Sequence, residues 1–116
     1  MSKKTLCLDF DGVIRHPKTN LFVPGAIEFV IKCINSSFKI YICSARKDYG
    51  WMIEWTHEEL YQKLGPQHAQ KIMTHLNWYD KKPQADVYLD DRALNFDGTW
   101  PEIMSNLLQF KPWWKL

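Results

Sequence analysis

Two acids one residue apart, Asp9 and Asp11, end a short apolar run that starts at Thr5, and Gly12 follows directly. If a strand continues regularly through them, both carboxylates point to one face, because strand side chains alternate with period two. Carboxylates held that close repel unless a cation or a shared proton sits between them. Gly12 lets the backbone turn sharply and approach a ligand. Two more apolar runs stop at polar residues: one at Ser44 and Arg46, the other at Asp90 and Asp91, with Lys81 and Lys82 in the segment that feeds it. Four carboxylates, a hydroxyl and cations on one edge make a set of hard oxygen ligands. Such a set suits Mg²⁺, which shares its sites with phosphate, and a nearby lysine can balance phosphoryl charge.

These groups meet only if the elements carrying them are neighbours. The apolar run from Thr5 to the two acids, residues 38–43 and residues 86–89 read as buried strands, and acids at the carboxyl end of a strand sit where open α/β sheets bind ligands. Residues 15–23 read as a loop or small hairpin overhanging the acids. In residues 26–35, Ile27, Val30, Ile31 and Ile34 recur at helical spacing and define an amphipathic helix. Residues 51–64 form a second helix, closed by Gly65-Pro66, with Ile53, His57, Leu60, Tyr61 and Leu64 as its expected core face. Trp51 and Trp55 lie one turn apart on it. Ile72-Met73-Thr74 reads as a weaker strand and residues 77–84 as loop. Thr99-Trp100-Pro101-Glu102 has the form of a capping box opening a last helix, and the aromatic tail 110–116 packs back onto the domain. Alternation of this kind predicts an α/β fold: a Rossmann-like three-layer α/β/α domain with a parallel sheet and helices on both faces.

Composition narrows the classes. At 116 residues there is room for one domain, spanning 1–116, and one core. A formal charge of +2 is too small for bulk electrostatic attraction to nucleic acid or membrane. No run approaches a membrane span or a signal-peptide core, and the odd cysteines (Cys7, Cys33, Cys43) read as free thiols, so a cytoplasmic location is expected. Neither the cysteines nor the four scattered histidines have zinc spacing.

In its motifs the chain resembles the haloacid dehalogenase superfamily, most of whose members are Mg²⁺-dependent phosphatases with a Rossmann-like fold. The apolar strand and Asp-Phe-Asp-Gly-Val of residues 6–13 look like its first motif, and the strand ending in Ser44 looks like its second. Lys82, in a Lys-Pro pair, is similar to its third, with Lys81 the alternate, and the strand ending in Asp90-Asp91 looks like its fourth. The order is right and the set spans most of the chain. The resemblance implies that Asp9 is a nucleophile and metal ligand and that Asp11 is the general acid and base, its backbone carbonyl completing the metal site. It further implies that Ser44 and Lys82 hold the phosphate, and that Asp90 and Asp91 bind Mg²⁺ directly or through water. Arg46 and Arg92 lie in Ser-x-Arg and Asp-Asp-Arg sequences that resemble those of nucleic-acid-end phosphatases, and Arg46 suits a contact to substrate phosphate.

About a dozen residues separate Val13 from the first helix, so no cap domain of the kind common in that family fits there. The expected function is a capless phosphatase acting through an aspartyl-phosphate. An open site admits a nucleic-acid end, a nucleotide or a phosphoprotein, or is closed by another subunit in a homo-oligomer. The competing class is a catalytically silent module that keeps the fold for binding, which the six tryptophans would suit but the intact acids argue against. The simplest reading of Trp51, Trp55, Trp113 and Trp114 is packing, and that of His16 a solvated loop residue.

Overall fold

A computed structural model describes residues 4–79, 81–94, 98, 100 and 107–115. Four parallel strands form one sheet in the order β3-β2-β1-β4. The chain runs β1 (Thr5–Asp9), α1 (Ala26–Asn35), β2 (Lys39–Cys43), α2 (Tyr49–Leu64), α3 (Pro66–Met73), β3 (Leu76–Tyr79), β4 (Val87–Leu89), with a 3-10 turn at Trp113–Lys115. Mixed α/β architecture with an all-parallel sheet is what the alternating pattern predicts. Strand order reverses at β1, which has β2 on one side and β4 on the other. A reversal of this kind leaves a crevice outside the carboxyl ends of the two strands.

Alternation divides the sheet residues between two faces. Leu6 and Leu8 of β1 and Ile40 and Ile42 of β2 point into a single core with Val30 and Cys33 of α1, Met52, Trp55 and Leu60 of α2, and Ala69 and Ile72 of α3. Phe10, just past β1, is fully buried in the same cluster with its ring edge-on to Trp51 and Trp55. Helices α1, α2 and α3 therefore cover one face. The opposite face carries Cys7, Asp9, Tyr41, Cys43 and Tyr88. Of the helix expected from Thr99 onward, residues 107–109 are described and helical, and most of the rest lies outside the described residues.

Helix α1 has the expected bounds. It ends where Ser37 turns into the left-handed region (φ 64°) and Phe38 N–H donates back to the Cys33 carbonyl at 2.9 Å. The reading of α2 needs correction on its face. Met52, Trp55, Thr56 and Leu60 are buried, whereas Tyr61 is exposed. Aromatic and aliphatic residues lie all round this helix, so two stripes compete. Thr56 can turn inward because its hydroxyl donates to the Met52 carbonyl at 2.8 Å, hiding its polarity within the helix.

A second correction concerns 72–74. Ile72 and Met73 are the last turn of α3, not a strand. Gly65 frees the chain (φ 84°) to restart at Pro66, whose fixed φ suits a first helical position, and Ala69 and Ile72 at i, i+3 then bury one face. The strand comes later, at Leu76–Tyr79 inside the segment expected to be loop, paired with β2 from Ile40↔Leu76 to Cys43↔Tyr79. Leu76 and Trp78 pack toward the core while Asn77 and Tyr79 face out, the period-two signature of a half-buried strand.

Candidate metal and phosphate site

Register builds the site. Leu8 of β1 pairs with Leu89 of β4, so the next residues on each strand, Asp9 and Asp90, leave the sheet side by side. Asp91 follows, and the carboxylates of Asp9, Asp90 and Asp91 each offer an oxygen within 4.8 Å of the others. On the other flank Asp9 pairs with Cys43, which puts Ser44 one residue beyond it. Asp9, Ser44, Lys81, Lys82 and Asp90 line a cleft of about 210 Å³, with Cys7, Cys43 and Tyr88 on the outward sheet face forming part of its wall. Three stretches far apart in sequence thus converge at the strand-order reversal, together with both candidate lysines. Lys82 Nζ stands 4.5 Å from the centre of the Tyr88 ring, and the Tyr88 hydroxyl donates to the Pro83 carbonyl at 2.5 Å, tying the lysine loop to β4.

Bringing the three acids together has an electrostatic cost. At separations of no more than 4.8 Å, each pair of full charges would repel by at least about 3.5 kcal/mol at an effective dielectric constant of ~20. The response falls on Asp9, whose pKa is pushed up to about 8, first by burial, then by a hydrogen bond with Asp91 and the charges of Asp90 and Asp91. A proton shared between Asp9 and Asp91 relieves the repulsion, and so would a divalent cation. Asp91 Oδ1 points the same way: it is buried and, apart from the proton shared with Asp9, no donor among the described residues reaches it. An all-carboxylate donor set with one buried oxygen of this kind fits a hard cation such as Mg²⁺.

Asp11 is placed differently. Strand β1 ends at Asp9, Phe10 turns into the core, and its carbonyl accepts the N–H groups of Ile14 and Arg15 at 2.9 and 3.0 Å. This turn carries the Asp11 carboxylate outside the three-acid group. There Oδ1 accepts from Arg15 Nη1 at 2.7 Å and Oδ2 faces Arg46 Nη1 at 3.4 Å. Gly12 occupies the left-handed region (φ 89°), and a Cβ on it would come within 2.2 Å of Asp91 Oδ2. Residues 14–23 fold over as the expected small hairpin, closed by His16 N–H to the Leu21 carbonyl and Val23 N–H to the Ile14 carbonyl, both at 2.8 Å. Arg15 sits on it.

Ser44 Oγ accepts the Arg46 N–H at 3.1 Å, which orients the hydroxyl at the end of β2. The Arg46 guanidinium forks onto Asp48 (3.0 and 2.8 Å) and lies 4.5 Å from the centre of the Trp51 ring. These bonds to Arg46 hold the Asp48 carboxyl below its usual range. Arg92 N–H caps Asp90 Oδ1 at 2.8 Å, and its guanidinium lies 5.6 Å from the Trp114 ring. Cys43, with its sulfur 2.8 Å from that of Cys7, is pushed up to about 12, chiefly by burial.

Three residues at the site carried no functional signal in the sequence. Arg15 looked like a loop residue, yet it holds Asp11. Trp113 and Trp114, read as packing, donate their indole N–H groups to the Gly12 carbonyl at 2.8 Å and to Asp91 Oδ2 at 2.6 Å. His16 meets Trp113 edge-on at 5.3 Å and accepts the Lys18 N–H within its own turn. No protein-family model, curated protein or solved structure matches the chain. Among the described residues, no helix is long and apolar enough to cross a membrane.

Proposed function

We propose that the chain is a Mg²⁺-dependent phosphomonoester hydrolase of the haloacid dehalogenase type, without a cap, acting through an aspartyl-phosphate on Asp9. The observation that carries this reading is the convergence of Asp9, Asp90 and Asp91 beside a cleft that Ser44 and Lys82 also line. In this scheme an Asp9 oxygen attacks phosphorus and the ester P–O bond breaks. The leaving oxygen takes a proton from Asp11. Water then adds to the phosphorus of the acyl phosphate, giving its proton to Asp11 and releasing inorganic phosphate and the Asp9 carboxylate. Lys82 and the Ser44 hydroxyl bind the phosphoryl oxygens, and Arg15 and Arg46 fix where the Asp11 carboxylate stands. Mg²⁺, held by Asp9, Asp90 and Asp91, would supply neutralisation of carboxylate and phosphoryl charge.

The fold fits this scheme: the sheet is parallel, its order reverses at β1 beside the cleft, and a short hairpin stands where a cap would be inserted. A site without a cap suits a phosphate at the end of a large substrate, such as a nucleic-acid terminus. The test is hydrolysis of an aryl phosphate with and without Mg²⁺, comparing the wild type with Asp9→Asn. Turnover that needs metal and falls by more than about a thousandfold in the variant is expected. Absence of metal-dependent turnover by the wild type across a broad panel, including 3′- and 5′-phosphorylated oligonucleotides, would sink the proposal.

A further inference from the structure

Asp91 is held from outside the cleft by the end of the chain. Trp114 Nε1 donates to its Oδ2 at 2.6 Å, while Oδ1 is buried with no N–H donor among the described residues. The Gly12 backbone lies so close to Oδ2 that a single added carbon would collide with it. The carboxylate is thereby fixed with its two oxygens in different situations, Oδ2 engaged by an indole N–H and Oδ1 without one. We propose that Trp114 is a positioning residue for the metal site: by occupying Oδ2 it presents Oδ1 of Asp91 as the ligand oxygen. This rests on the metal-site reading above and adds a residue to it.

The chemistry of indole suits the task. Its N–H donates and cannot accept, so it neither competes for the cation nor titrates. A carboxylate without an outer partner can rotate or bind through both oxygens, whereas a donor on one oxygen fixes ring-side and metal-side atoms alike. The indole is itself held. The Arg92 guanidinium and the Lys115 ammonium lie 5.6 and 5.3 Å from its ring centre, within cation–π range. Pro112 is buried, and Trp113 donates separately to the Gly12 carbonyl. The tail therefore makes two distinct bonds: one reaches a ligand carboxylate, the other only backbone.

That difference supplies the test. Binding of Mn²⁺, as a paramagnetic stand-in for Mg²⁺, is measured by electron paramagnetic resonance on the full chain, with circular dichroism as the check on folding. W114F is expected to weaken Mn²⁺ affinity by about 10–100-fold, the usual effect of losing an outer-shell partner. W113F should stay near the wild type, and W114Q, which restores an N–H donor, should recover part of the loss. Equal affinities for W114F and wild type would overturn the proposal, as would equal losses in W113F and W114F, which would make the tail a general strap. If W114F does not fold, W114M against W114Q makes the same comparison, with tighter binding by W114Q supporting the proposal and equality overturning it. A wild type that binds no Mn²⁺ would overturn the metal site and this role together, a result distinct from a wild type that binds and a W114F that binds equally well.

Discussion

Substituting Gly12 by alanine tests the packing of the site more sharply than removing any acid. Two separate effects follow from the geometry. The first is strain: Gly12 has φ 89°, and a side chain in the left-handed region costs about 1–2 kcal/mol. The second is collision: the new Cβ would lie 2.2 Å from Asp91 Oδ2 and 2.4 Å from its Cγ, where ordinary contact begins at 3.4 Å. Asp91 would have to retreat by more than its bond to Trp114 tolerates, and losing a hydrogen bond to a charged group costs about 1.5–3 kcal/mol. Gly12→Ala should therefore destabilise by about 2.5–5 kcal/mol in urea melts followed by circular dichroism. Gly25→Ala is the internal control. Its φ is 86° and nothing lies within 4 Å of the Cβ position, so only the strain should appear, about 1–2 kcal/mol. Metal affinity should fall in the first variant and hold in the second. If the two lose equal stability and both keep the metal, the close approach of Gly12 to Asp91 does not constrain the site and the reasoning fails.

Two further expectations concern pH and the core. Because Asp9 is raised from 3.8 to about 8, the folded chain holds that proton more tightly than the unfolded chain does. Its contribution to stability is complete below about pH 4 and is lost as pH rises through about 8. In chelator, the melting temperature of Asp9-containing protein should thus decline relative to Asp9→Asn between these limits, and added Mg²⁺, which must displace the proton, should stabilise most at the alkaline end; an opposite slope would contradict the assignment. Phe10→Ala should cost about 3–5 kcal/mol in the same urea melts, since the ring is fully buried against Trp51, Trp55 and Trp78 and its loss opens a cavity between sheet and helices. A loss below about 1 kcal/mol would mean that the cluster collapses around the gap.

The parts of this fold legible in the sequence are those where one periodicity dominates. Strand β1, helix α1 and strand β2 each show a single apolar pattern with clear punctuation, and their bounds are close to those expected. Helix α2 misled because tryptophan, tyrosine and leucine occur on more than one side, and the choice between stripes is made by the sheet it packs on. Ile72-Met73 misled because two apolar residues fit a strand or a final helical turn equally well; Pro66 at the head of α3 was the better signal. At the site, acids at strand ends were readable because their charge contradicts the apolar run before them. Arg15 and Trp114 were not, because an arginine in a hairpin and a tryptophan in a tail are ordinary until tertiary packing shows what they touch. Asp11 shows the limit of spacing alone: regular alternation would have placed it with Asp9, but the turn at Phe10 carries it to two arginines instead.

The bond from Trp113 to Gly12 spans 101 residues of sequence, and that from Trp114 to Asp91 depends on the same docking. Closing so long a loop has an entropic cost that grows only slowly with length. The pairing of β1 with β4, Leu6 with Val87, closes most of it and brings Gly12 and Asp91 together before the tail docks on them. The consequence is one of timing. A chain can complete its sheet and its helical layer while the Asp91 carboxylate still rotates freely, and only the arrival of the tail fixes that oxygen. On the proposed reading of the three acids as a metal site, competence to hold an ion would therefore follow the docking of the tail.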